Sequence, residues 1–103
     1  MEKIVEIKGR KFTFAPYTLK AQAEIRDECL ELDSLTGKHK IKMGTYQLLV
    51  VLHSLRSWDI SINGSPLALS KENFNTFFPK ECLDEAFVTA EEVNTLGEQR
   101  KNL

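Results

Sequence analysis

The sequence predicts an α+β fold: an N-terminal β-hairpin and about four α-helices around one core, mostly helical, in a single domain over residues 1–103. Three observations lead there. The first fourteen residues alternate apolar and polar around a glycine. Four later segments carry apolar residues at helical spacing. No linker, repeat or low-complexity stretch divides the chain.

The hairpin comes first, over about residues 3–14. Ile4, Val5 and Ile7 form one β-rich run, and Lys11-Phe12-Thr13-Phe14 forms the other. Lys8-Gly9-Arg10 supplies the turn between them. Phe12 and Phe14 share a face, because strand side chains repeat every two residues. An isolated hairpin is marginal, so this one must lie on something.

Pro16 and Tyr17 end the second strand, and Thr18 is placed to cap a helix over about 19–32. Ala21, Ile25, Cys29 and Leu32 make its apolar stripe. Residues 33–42 read as a polar, solvated connector with Gly37 and Lys38, Lys40 and Lys42. A second helix, over about 44–55, holds the run Leu48 to Leu52. Being apolar all round, it belongs at the centre of the domain. Trp58, Ile60 and Ile62 then alternate with polar residues, and Asn63-Gly64 marks a turn. Ser70 caps a short helix over about 71–78 that carries Phe74, Phe77 and Phe78. Pro79 ends it. The last helix covers about 80–96, with Cys82, Leu83, Ala86, Phe87, Ala90 and Val93 as its stripe and Gly97 as its stop. Glu98 to Leu103 reads as a polar, frayed tail.

Composition limits the function classes. Hydrophobic residues are 42% of the chain, and 14 Lys and Arg stand against 15 Asp and Glu, for a net charge of -1. That balance argues against a nucleic-acid binder working by phosphate neutralisation, and against disorder. Two cysteines, Cys29 and Cys82, are too few for a disulfide scaffold or a four-ligand zinc site. Both sit on apolar stripes, which favours inert thiols. The five glycines never cluster into a phosphate loop, and His39 and His53 stand apart from each other and from the cysteines. The expectation is a non-enzyme with no cofactor, no metal and no small-molecule substrate. Charges break up the N-terminus, and Leu48 to Leu52 is far too short to span a membrane. A cytoplasmic protein with no membrane partner is expected.

The stretch from Trp58 to Leu83 carries a resemblance. It contains Trp58-Asp59-Ile60, the turn Gly64-Ser65-Pro66-Leu67, the helix start Leu69-Ser70-Lys71-Glu72-Asn73-Phe74, then Phe78-Pro79 and Leu83. In order and spacing it resembles the C-terminal part of the tail assembly chaperones of long-tailed bacteriophages. Phe78 stands where that family usually has Leu. The resemblance covers about a quarter of the chain. It implies a non-enzymatic factor that holds the tape measure protein, helps recruit tail tube protein, and is absent from the mature virion in the host cytoplasm. It also implies a longer form made by programmed frameshifting, with which Arg100-Lys101-Asn102 is compatible if encoded by an A-rich heptamer.

A holdase needs exposed apolar surface rimmed by charge, or a groove for an amphipathic helix. Trp58, Phe74, Phe77 and Phe78 are the candidate partner-binding residues, with Phe77 or Phe78 expected to be exposed. Self-association through the same surface stays open. The alternatives are a structural virion protein of the head–tail connector or tail terminator type, and a small regulatory protein-binding module.

Overall fold

A computed structural model describes residues 2–101. Its elements run β1 (Lys3–Ile7), β2 (Arg10–Phe14), α1 (Leu19–Cys29), β3 (Leu30–Leu32), β4 (His39–Ile41), α2 (Met43–Ser54), β5 (Leu55–Trp58), β6 (Ser61–Ile62), β7 (Ser65–Pro66), α3 (Lys71–Phe77) and α4 (Leu83–Lys101). A 3-10 turn over Lys80–Cys82 leads into α4. The α+β class holds, with an N-terminal hairpin and four helices among the described residues.

The hairpin forms as its alternation requires. Lys8 and Gly9 both have positive φ, 50° and 80°. That is the backbone of a two-residue turn matched to the twist of antiparallel strands. Val5 sits opposite Phe12, and Phe12 and Phe14 are fully buried.

The support for this hairpin is partly a third strand. β5 pairs antiparallel with β2, giving a sheet in the order β1-β2-β5. Trp58 lies opposite Phe12 and Leu55 opposite Phe14, so apolar residues align across the inner face. The register shifts between Thr13 and Phe14, which leaves Arg56 as the extra residue of a bulge. Its guanidinium donates to the carbonyls of His53 (2.7 Å) and Pro16 (2.8 Å), fastening the point where α2 turns into β5.

The helices complete the cover. Thr18 Oγ1 accepts from the Ala21 N–H, so the cap is as expected. Ala21, Ile25 and Cys29 are buried. α2 packs between α1 and α4, and α4 also lies against β1 and β2. Cys82, Ala86, Ala90 and Val93 form the buried stripe of the last segment. The small Ala86 and Ala90 let α4 approach closely without a void. Asn94 ties three regions together: its Oδ1 accepts from the Tyr17 N–H (2.9 Å), and its Nδ2 donates to Ser54 Oγ (2.9 Å) and to the Ala90 carbonyl (2.7 Å).

Four expectations need correction. The first helix stops at Cys29, not near residue 32. Leu30 turns extended at φ −84°, ψ 131°, and Leu32 is exposed rather than part of a stripe. The connector over 33–42 is not a plain loop, because β3 and β4 pair as a second hairpin. The run Leu48 to Leu52 is not buried all round; Leu49, Val50 and Val51 are buried, but Leu48 is exposed. α4 passes through Gly97 to Lys101. One glycine costs a helix only about 1 kcal/mol relative to alanine, and no proline follows to stop it. Of the expected frayed tail, residues 98–101 are helical, while Asn102 and Leu103 lie outside the described residues.

Candidate functional site

The aromatic residues singled out from the sequence separate into different roles. Phe74 is buried, with 1% of its surface exposed. Phe78 is half-buried, its ring 4.8 Å from Phe74 and 5.5 Å from Phe12. Both fill the core beneath the sheet. Trp58 is half-buried as well, and its Nε1–H donates to the Leu67 carbonyl at 2.7 Å. That bond fixes the β6–β7 turn region against the strand. Phe77 alone of the four is exposed, at 43%. The structure therefore does not gather these side chains into one surface patch. A two-turn helix with three Phe turns two toward the core and one toward water.

The exposed apolar surface lies elsewhere. Leu30, Leu32, Leu35, Ile41 and Met43 are all exposed, and all belong to the second hairpin and its flanks. Leu30 pairs with Ile41 and Leu32 with His39, so these four share one face. Glu31 and Lys40 pair on the opposite face. The hairpin is thus amphipathic, with an apolar side and a charged side, and neither side is covered.

Its turn is nonetheless well defined. The Asp33 N–H donates to the Lys38 carbonyl (2.9 Å), and the Gly37 N–H to the Asp33 carbonyl (2.8 Å). Gly37 has φ +70°, a region where a side chain would be strained. The Asp33 carboxylate accepts from the Leu35 N–H at 2.9 Å. Backbone N–H donors from Leu35 and Thr36 hold its pKa below the ordinary carboxylate value. At the base, the Lys42 N–H donates to the Cys29 carbonyl (2.8 Å), clamping the start of α2 to the end of α1.

A groove of about 390 Å³ opens beside this base. Ile25 and Cys29 form its floor, and Leu30, Ile41, Met43 and Tyr46 its sides. Tyr46 is held edge-on against Phe87, with ring centroids 5.8 Å apart. A second recess of about 230 Å³ shares Ile25, Arg26 and Tyr46 with the groove and continues to Gln22, Glu91, Asn94 and Thr95. The two recesses adjoin at Ile25, Arg26 and Tyr46, the groove being mainly apolar and the recess mainly polar. No single stretch of sequence reveals this surface, because its walls come from α1, β3, β4 and α2. The signal available was the set Leu30, Leu32, Ile41 and Met43 flanking a turn.

Cys29 and Cys82 are both buried and free. Burial is the main cause raising each pKa, which keeps the protonated form. Among the described residues no three His, Cys, Asp or Glu side chains converge to hold a metal ion. No described helix is long and apolar enough to cross a membrane. Comparison with protein-family models, curated proteins and solved structures finds no match to this chain.

Proposed function

We propose that this protein is a non-enzymatic binding protein that holds an amphipathic helix of a client. The reading is that of a phage tail assembly chaperone for the tape measure protein. One observation carries it: the open apolar groove at the base of the β3–β4 hairpin, continuous with an uncovered apolar strand face. A groove of apolar walls beside a polar recess suits the helix-in-groove mode of recognition. Covering Leu30, Ile41 and Met43, each about half exposed, is worth about 1 kcal/mol per side chain. The charged face of the hairpin meanwhile keeps the free protein dispersed. The resemblance over Trp58 to Leu83 adds the identity of the client and of the tail tube protein it hands over to. On this reading the protein works in the host cytoplasm and leaves before the virion is complete.

Co-expression with the tape measure protein tests the proposal. The wild-type chain should keep the client soluble. The double variant Ile41→Ser, Met43→Ser should fold normally and lose at least about tenfold in client recovery, since each loss of 1.4 kcal/mol is a factor of ten. Full client recovery with that folded variant would sink the groove assignment. Finding the protein in purified virions by mass spectrometry would replace the chaperone with a structural component.

A further inference from the structure

A charged residue borders both the groove and the recess. Arg26 lines both the apolar groove and the polar recess, and it is exposed. Among the described residues its guanidinium takes part in no hydrogen bond or ion pair; the ion pair found there is Lys3–Glu92, at 3.0 Å. This is not for lack of carboxylates on its own helix, since α1 also carries Glu24, Asp27 and Glu28. Helical spacing keeps them away. The positions three and four residues from Arg26 are Gln22, Ala23, Cys29 and Leu30, and none is acidic. Glu91 lines the same recess but lies beyond ion-pair distance.

We propose that Arg26 is a carboxylate-recognition residue at the seam between groove and recess, selecting a client helix with an acidic residue at the border of its apolar face. The proposal rests on the groove reading above and adds which helix the groove accepts. An apolar side chain of the client enters between Leu30, Ile41 and Met43. The neighbouring turn brings a Glu or Asp over Arg26, whose planar fork binds a carboxylate through two parallel N–H donors. Glu91 repels that acid from the far end and fixes it at the seam. A second role for Arg26 is favourable interaction with the C-terminal carbonyls of α1, since it lies in the last turn. Any cation fills that role, so lysine separates the two.

The probes are three synthetic amphipathic helices, each of about 20 residues so that helix forms readily. They share one leucine face and differ at one border position, which is Glu, Gln or Lys. Affinities are read by fluorescence anisotropy against the full chain. Wild type should prefer the Glu peptide over the Gln peptide by about threefold to tenfold, the range of a partly shielded ion pair. Arg26→Glu should reverse the order and favour the Lys peptide. Arg26→Lys should keep the thermal stability of the chain but lose most of the preference for Glu. Equal affinities of wild type for all three peptides, lost together in the Ile41→Ser, Met43→Ser variant, would overturn the Arg26 assignment and leave the groove reading standing. No binding of any peptide, or binding indifferent to Ile41 and Met43, would overturn both.

Discussion

The first two β-hairpins of this chain obey the same local rules and end in opposite surroundings. β1–β2 and β3–β4 are each antiparallel pairs closed by a turn with a glycine at positive φ. In the first, Phe12 and Phe14 vanish beneath α4 and beside β5. In the second, Leu30, Leu32 and Ile41 remain in water. The local rules that make a hairpin are the same in both; what differs is the cover. A third strand and a helix turn one into the core. The other, joined at its base to the end of α1 and the start of α2, keeps its apolar face exposed.

The strongest way to break that comparison is a matched pair of truncations. Phe14→Ala should cost about 3–5 kcal/mol, because the ring is fully buried and the sheet cannot collapse around it. Leu32→Ala, also a large-to-small change on a hairpin strand, should stay within about 0.5 kcal/mol. Urea denaturation of both variants measures this directly. Similar costs would mean the second hairpin is covered after all.

A smaller effect is expected where the covered side is tied together. Asn94→Ala removes the acceptor of the Tyr17 amide and the donor to Ser54 Oγ, which is fully buried. Loss of such buried partners costs about 1–3 kcal/mol. The same denaturation experiment reads it, and hydrogen exchange at the hairpin amides of residues 31 and 40 should be unchanged.

The smallest effect belongs to the exposed hairpin and appears with pH. Asp33 has a folded pKa below its unfolded value, so its contribution to the turn is present above the ordinary carboxylate pKa of about 3.9. That contribution is lost as the pH falls through the lowered folded value. The Leu35 amide, followed by NMR, should shift with a midpoint below that of an ordinary Asp, while the Phe14 amide stays fixed. A midpoint at or above the ordinary value would remove the hydrogen-bonded turn from the account.

These contrasts explain which parts of the molecule could be read from the sequence. The first hairpin, the Thr18 and Ser70 caps, the Asn63-Gly64 turn and the stripe from Cys82 to Val93 follow from local pattern and chemistry. The second hairpin did not, because each strand has only three residues, too few to alternate convincingly, and Lys38-His39-Lys40 looks like solvated loop. Leu32 sits three residues after Cys29 and so imitates a helical stripe that the backbone has already left. β5 was hidden for a different reason: α2 passes into it at Leu55 with no intervening turn, and pairing with β2 is a long-range event. The aromatic residues were identified as important, but sequence spacing does not say which side of α3 meets Phe12. The groove was the least legible, since four elements build it.

The Asn94 junction has a consequence for the order of events during synthesis. Its partners Tyr17 and Ser54 emerge 77 and 40 residues earlier in the chain. Neither link can close until Asn94 has left the ribosome, well after Tyr17 and Ser54. Contacts of such long sequence separation slow folding and extend the time that apolar surface stands open. Closing the core therefore waits on α4, whose Ala86, Ala90 and Val93 are buried in it.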